Sequence, residues 1–564
     1  MSSASVSHSH LDSALAALAT KKRRWHTIWT KHLIELLVRL RADYAQVADR
    51  WVKVSCHAKG VDPDSPAAAE EWLGGPFCVL RNLRLLERSL REIETFGRPS
   101  PPLVPRVREN RQVAVDVLPN DIYDRLFYRG FSAEIRFQPQ VNLENLADHQ
   151  ALPHQTHPQG RLCLVLGAGN VSSIGPMDVL YKVFNEKKSV LLKMHPVNEY
   201  LGPLIEEGFR ALLEADLLRV VYGGAEEGAY LCQHPAVDEI HITGSDRTHD
   251  AIVYGTGEEG RRRKAEDDPR LDKPISSELG NVSPVIVVPG GWSSSDLAFQ
   301  AANLVSMLVN NAGFNCNATR VIIQQRGWKQ RNALLDAVRT QLGKVPSRKA
   351  YYPGARERWE LHMQGHPDAE TFGSRQEGCL PWTLLPDLPY REDDPNFSRE
   401  AFCGLFCETA LKASSPADFL RQAVDFCNQR LWGTLNAALL IHPGSLRNPE
   451  TAAALEEAVD ELRYGTVAVN HWPALGYGLV STSWGAYPGH TYSDIQSGIG
   501  VVHNSYMFSG IEKSVVRGPF RVRPKPAWFV TNRRAHRLAR HLTRLEARPS
   551  LRRVPAILWN ALLG

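Results

Sequence analysis

The chain has no pair of cysteines at C-x-x-C spacing and an odd cysteine count. Its nine cysteines are Cys56, Cys78, Cys163, Cys232, Cys316, Cys379, Cys403, Cys407 and Cys427, spread over 564 residues. A disulfide framework suits short secreted chains with paired cysteines, so a reducing cytoplasm is expected instead. Cys403 and Cys407 have no second ligand pair nearby, so no metal site is expected. No run of about 18 apolar residues exists, which excludes a membrane-spanning helix. A signal peptide is not expected, because the short apolar stretch at 15–19 precedes the basic residues 21–24 instead of following them. A net charge of +5 with 23% charged residues is too weak for a nucleic-acid binder. Internal repeats and long low-complexity tracts are absent.

What is present is an apolar fraction of 43%, enough for a large core, in a chain long enough for two or more packed units. The first hundred residues read as helices. Trp25, Ile28, Trp29, Leu33, Leu36, Leu37 and Leu40 recur at three- and four-residue steps. A second helix is expected to be capped by Ser65 with Pro66 in its first turn, and Val79, Leu83, Leu86, Leu90 and Ile93 share a face beyond it. From Arg161 short apolar runs alternate with helical stretches, which predicts α/β architecture with a mainly parallel sheet. The stretch 257–273, "GEEGRRRKAEDDPRLDK", reads as a solvated, mobile loop.

The run "LCLVLGAGNVSSIGP" at 162–176 is nearly the G-x-G-x-x-G turn of a dinucleotide phosphate loop, with Ser172 at the third glycine. Such a loop needs an acid about 20 residues on, to hold the ribose hydroxyls. The next apolar run, "SVLLKMHP", ends in Lys193 instead. The plainer alternative is a tight strand-to-helix turn in which glycine is merely permissive. Further on, "ISSELGNVSPVIVV" places Glu278 before a glycine and an apolar run, and Cys316 follows within "NNAGFNCNATRVII". A carboxylate and a cysteine in these settings point to a thiol nucleophile with a separate base.

Together these segments resemble the aldehyde dehydrogenase superfamily. Glu278-Leu279-Gly280-Asn281 is similar to its E-L-G-G motif, and 311–316 to N-x-G-Q-x-C, whose cysteine is the nucleophile. "ITGSDR", "VVYGGAEEG", "REAFCGLF" and "LRYGTVAVNHW" resemble further family segments in the same order. The resemblance spans roughly 104–522. It implies an aldehyde dehydrogenase-like α/β fold: a Rossmann-type cofactor domain, an α/β catalytic domain and a small β oligomerisation element. The boundaries expected are 1–132 for the helical part of the cofactor domain, 133–150 for an oligomerisation strand and 151–273 for the cofactor-binding domain. The catalytic domain follows at 274–490, a bridging strand at 491–524 and a basic tail at 525–564.

The resemblance also assigns roles. Cys316 would attack an aldehyde carbonyl, and the Asn170 amide with the Cys316 N–H would meet the oxyanion. After hydride loss to the nicotinamide, Glu278 would activate water to release a carboxylic acid. Lys193 and Pro196 would border the adenosine ribose. Gly224, Gly228, Gly244 and Ser245 would border the phosphates at helix starts, and Leu279, Glu400 and Phe402 the nicotinamide side. Each has a plain rival: a buried structural cysteine, a surface or capping acid, an asparagine taking a positive φ, a strand-end lysine, a helix-entry loop. Many members carry a glutamate where Pro196 stands, so NAD and NADP both remain open. Phe314 replaces the usual glutamine and Asn281 the second glycine. His471, Trp472 and Tyr477 are candidates for the substrate wall, whose apolar character fits long-chain and aromatic aldehydes alike. A homodimer or homotetramer is implied.

The tail is a separate feature. From Arg521 onward eleven basic side chains face one acid, Glu546, leaving +10 there and −5 in the rest. It reads as a helix packed on a partner subunit or on the chain's own acidic body, or as peripheral contact with an anionic membrane. Two rival functions stand beside the oxidation of an aldehyde. One is a CoA-acylating aldehyde dehydrogenase, against which Glu278 speaks; the other is an inactive scaffold with a binding tail.

Overall fold

A computed structural model describes residues 8–22, 25, 28–156, 158–373 and 376–564. Arg23 and Arg24 of the basic run lie outside the described residues. The helix Thr30–Lys59 buries Leu33, Leu36, Leu37, Leu40, Tyr44, Val47 and Trp51 and stops at Gly60, which takes φ 66. Cys78–Phe96 packs along it and ends at Gly97, with φ 79. These two left-handed stops are positions where a side chain would be strained. Between the two helices Ser65 stands at the N-cap with Pro66 behind it, but its hydroxyl donates to the Asp62 carbonyl and leaves the helix start uncapped. Gly74-Gly75-Pro76 then opens a wide turn across residues 73–77, because Pro76 offers no N–H and Gly75 adopts φ −127, ψ −110.

The first sheet has six strands, in the order Gly498–Ile499, Ile275–Glu278, Glu239–Thr243, Leu162–Leu166, Ser189–Lys193, Leu218–Val221. All neighbours are parallel except Gly498–Ile499. Its central strands are buried almost throughout, which is why they read as unbroken apolar runs. The chain builds outward from Leu162–Leu166 to one side, then returns to the other side with Glu239–Thr243. A crevice therefore opens between these two strands at their carboxyl ends, where ligands of such sheets bind.

The second sheet has eleven strands. Its parallel body runs Ile511–Arg517, Thr466–Val469, Asn436–Leu440, Pro284–Val287, Val321–Gln325, Leu405–Leu411, Trp382–Leu385. Ser132–Phe137 pairs antiparallel with Ile511–Arg517, and Val113–Leu118 and Arg106–Val107 extend that edge.

Two expectations need correction. The stretch 257–273 is not a bare loop: Gly257–Ala265 is a helix, held by Glu259 to Arg262 and Arg263 and by Arg262 to Glu266. Ile275–Glu278, placed beyond the cofactor boundary at 273, hydrogen-bonds in the six-stranded sheet. The turn before it made the boundary look earlier than the sheet does.

The tail folds back on the chain's own N-terminal helices. Ala535–Ala547 touches residues 66–77 and the helix Cys78–Phe96, and Val554–Leu562 packs on it. Its lone acid anchors it. Glu546 accepts from the buried Arg81 at 2.9 Å and from Arg84 at 2.5 Å, while Arg81 also grips Asp124 through both oxygens. On the outer face Arg540 and Arg544 reach Asp49. Among the described residues no helix is long and apolar enough to cross a membrane.

Removing Glu546 leaves the buried Arg81 and the half-buried Arg84 each short of a partner. Glu546→Ala is expected to destabilise by about 1–3 kcal/mol and to lower the thermal midpoint. Arg548→Ala, on the exposed face, should stay within about 0.5 kcal/mol of the parent.

Candidate active site

Glu278 closes a strand of the first sheet, and Cys316 sits in the segment leading into Val321–Gln325 of the second. The thiol Sγ lies 3.4 Å from Glu278 Oε1, with the sulfur as donor. The second carboxylate oxygen, Oε2, is buried and meets no hydrogen-bond partner among the described residues. Burial pushes the Glu278 carboxyl up to about 7. Burial, with Glu278 and Glu400 nearby, also holds the Cys316 thiol well above its usual range. Both shifts disfavour charge, so the resting thiol is neutral and its carboxyl neighbour changes charge near neutral pH. All nine cysteines are free, and only Cys316 and Cys379 keep intermediate exposure.

The loop carrying Cys316 is strained into place. Asn311, Ala312 and Gly313 follow one another at φ 53, 56 and 81. A side chain at Gly313 would meet the Cys403 backbone at 2.5 Å. Arg320, buried, donates to the carbonyls of Gly313, Asn315, Cys403 and Leu405. Phe314 packs against Tyr351, Tyr352 and Phe402 at centroid distances of 5.0, 5.8 and 5.9 Å. That aromatic nest accounts for an apolar ring where the family motif has an amide. Among the described residues no carbonyl accepts the Cys316 N–H.

Asn170 is brought to the same place by other means. Its Nδ2 donates to the Phe314 carbonyl at 2.9 Å, and its second N–H remains for another acceptor. Its backbone carbonyl receives Lys59 Nζ at 3.0 Å, Asn311 Nδ2 at 2.9 Å and the Tyr351 hydroxyl at 3.0 Å. Lys59 also donates to Glu71 at 2.8 Å and to Asn311 Oδ1 at 3.0 Å. Glu70 accepts the Asn311 N–H, and Gly74 accepts the Ser173 N–H. The N-terminal helices thus clamp both loops. Sequence reading passed over Lys59, Glu71, Tyr351 and Arg320. The i, i+12 spacing of Lys59 and Glu71 carries no helical signal, and only the folded connection at 60–68 brings them together.

Two cavities meet at this point. The first, of about 1110 Å³, is lined by Gly167, Asn170, Lys193, Pro196, Gly224, Gly228, Gly244, Ser245, Leu279, Glu400 and Phe402. It therefore gathers the residues assigned to the cofactor. The second, of about 430 Å³, runs past Trp472 and Tyr477. His471 does not line it: the ring is buried and bonds the Pro519 carbonyl through Nε2. The two cavities share Ile174, Glu278 and Cys316.

The first cavity fits a dinucleotide. Glu400 is partly buried with its Oε1 enclosed and unpartnered, and burial raises its carboxyl to about 7. A Cβ at Gly280 would stand 2.3 Å from its Oε2, so glycine keeps that carboxylate clear for hydroxyl donors. Ser245 caps the helix Asp246–Val253, and a Cβ at Gly228 would meet nothing within 4 Å. Gly169, the second glycine of the turn, is required because a Cβ there would lie 2.4 Å from the His195 ring. The glycine-rich turn thus packs on His195, which burial and Lys193 keep neutral by lowering its pKa to about 4.

The Lys59 ammonium and the Glu71 carboxylate are each 3% exposed. Lys59→Met strands a buried carboxylate, and a loss of about 3–5 kcal/mol is expected. Adding Glu71→Leu should recover much of that loss in thermal unfolding while the pinning of Asn170 stays broken. Equal stability of single and double variants would contradict the pairing.

The sequence matches the model of the aldehyde dehydrogenase family over residues 189–350. It is 26% identical over 220 residues to N-succinylglutamate 5-semialdehyde dehydrogenase of Sphingopyxis alaskensis, covering 39% of this chain and 37% of that one. It is 34% identical over 111 residues to human 4-trimethylaminobutyraldehyde dehydrogenase, 19% of each chain. The match thus spans well under two thirds of these relatives' length. Two solved structures share the fold. One is NADP-dependent glyceraldehyde-3-phosphate dehydrogenase from Bacillus halodurans complexed with NADP, with TM-score 0.60, 16% identity and 90% and 91% coverage of this chain and that one. The other is a variant of aldehyde dehydrogenase C from Pseudomonas syringae complexed with NAD+ and octanal, with TM-score 0.58, 15% identity and 92% and 90% coverage. The chain thus shares its fold with these aldehyde dehydrogenase structures across nine-tenths of its length and is similar in sequence to the aldehyde dehydrogenase family over residues 189–350.

Proposed function

We propose that this protein oxidises an aldehyde to a carboxylic acid with NAD or NADP. The observation that carries the reading is the position of Cys316 and Glu278, within hydrogen-bonding reach of each other and on the wall of both cavities. Substrate enters by the smaller cavity. Glu278 takes the thiol proton as sulfur bonds to the carbonyl carbon. The oxyanion is met by the free N–H of Asn170 and the backbone N–H of Cys316, donors worth about 3–4 kcal/mol each when aimed at developing charge. A nicotinamide dinucleotide bound in the larger cavity supplies the acceptor for the aldehyde's hydride. Collapse of the oxyanion then leaves a thioester on Cys316. Glu278, having passed its proton to solvent, deprotonates a water that attacks the thioester, and the acid leaves as the thiol is regenerated. Lys193, Pro196, Gly224, Gly228, Gly244, Ser245 and Leu279 hold the adenosine, phosphate and nicotinamide sides. Glu400 takes the ribose hydroxyls, and Phe402 flanks the ring.

A carboxylate beside the thiol favours water over CoA as the acyl acceptor. The exposed apolar residues Leu103, Val104 and Val107 along the edge strand Arg106–Val107 support self-association there. Free cysteines throughout support a reducing compartment such as the cytoplasm. Exposed Trp559 and Leu562 beside Arg552 and Arg553 support peripheral contact with an anionic lipid surface.

Cys316→Ala is expected to abolish aldehyde-dependent NADH or NADPH formation. Glu278→Gln should leave an initial burst and slow steady turnover by about 10²–10⁴-fold. Because Glu278 works as a carboxylate and titrates near 7, wild-type turnover should rise with pH through that value, and the limb should vanish in Glu278→Gln. Undiminished turnover in either variant would overturn the assignment.

A further inference from the structure

The smaller cavity has an unexpected outer wall. Its inner end is Cys316 and Glu278, and its middle is Trp472 and Tyr477. Its far side comes from the C-terminal segment: Trp528, Leu538, Leu542, Ile557, Leu558 and Ala561. Six apolar side chains from one late stretch of chain thus face the space in front of the thiol. They belong to a fixed unit. Ala527, Leu538, Leu545, Ile557 and Ala561 form one buried cluster against Leu73, Tyr123 and Phe127. Glu546 ties the unit to Arg81 and Arg84, and Lys525 Nζ donates to the Thr531 and Gly564 carbonyls, closing it at the base.

The charges bordering the cavity do not make its interior polar. Lys59 is paired with Glu71, Glu70 with Arg348, and Lys525 is held by carbonyls. Arg129 and Arg523 are exposed. Leu558 is 39% exposed while Ile557 is 1% exposed, so the tail runs from the dry interior out to the rim.

We infer that the C-terminal segment is the specificity wall of this site, selecting aldehydes that carry a long apolar chain. This rests on the function proposed above and deepens it. A short aldehyde reaches the thiol without touching the tail. A long one lays its chain along Leu542 and Leu558, and each methylene taken out of water improves binding by a factor of about four. Arg540 and Arg544 of the segment pair with Asp49 and do not line the cavity.

The test compares kcat/KM for dodecanal and propanal in the full-length protein. Wild type should favour dodecanal. Leu558→Asp, which sets a carboxylate at the rim, and Leu542→Trp, which narrows the interior, should each lower the dodecanal-to-propanal ratio by about tenfold or more. Leu558→Met should restore it. A ratio within about twofold of wild type in both variants would overturn the inference. Calorimetric binding of dodecanal to Cys316→Ala, with and without Leu558→Asp, separates the two readings. Binding weakened by Leu558→Asp, when the wild-type protein oxidises neither aldehyde, would uphold the wall and remove the proposed function. Oxidation of both aldehydes with binding indifferent to Leu558→Asp would do the reverse.

Discussion

One ammonium group holds the site together. Lys59 Nζ, on a helix that contributes nothing to the chemistry, donates at once to Glu71, to the Asn170 carbonyl and to Asn311 Oδ1. Asn170 follows a strand of one sheet and Asn311 leads to a cysteine that precedes a strand of the other. The two loops have no covalent reason to be adjacent. A buried cation needs its hydrogen bonds satisfied, and satisfying this one from both loops holds them in register. The left-handed run at 311–313 is strain that persists because Lys59, Glu70 and Arg320 over-determine it.

From that register the proposed chemistry follows. A thiol whose pKa is raised by burial and by two carboxylates is a poor nucleophile at rest. It becomes one as its proton moves to Glu278, which burial has tuned to near 7. In the proposed reaction the same carboxylate then serves the water that ends the cycle. Because sulfur and carboxylate border both cavities, substrate and cofactor need not compete for one opening. The tail joins this scheme from outside the two sheets. Its single acid fastens it, and its apolar face closes the substrate side.

Much of this was legible in the residues themselves. The change from helical to alternating periodicity at Arg161 marks the start of the first sheet, and Glu278 and Cys316 stand out by their settings. The residues that position them are not legible. Lys59 reads as the end of an amphipathic helix, and Glu71 as an acid in the first turn of another. Arg320 reads as a charge before a strand. The partners of Arg320 are backbone carbonyls, which have no sequence signature, and Lys59 meets Glu71 and Asn311 only once the chain is folded. The tail misleads for a related reason: eleven basic side chains draw attention to acids elsewhere, while the contact that fixes it is made by the one acid within it. The charged stretch 257–273 looks like a loop for want of apolar residues, yet its helix is supported by charge pairs at three- and four-residue steps.

The account stands on a covalent acyl link to one sulfur. Rapid acid quench of the protein with octanal and oxidised dinucleotide, followed by intact-mass and peptide mapping, reads that link directly. The predicted result is an adduct with the mass of the aldehyde less two hydrogens, on Cys316, that forms only when dinucleotide is present. An adduct on Cys379, or none on any cysteine while acid is still produced, would contradict it.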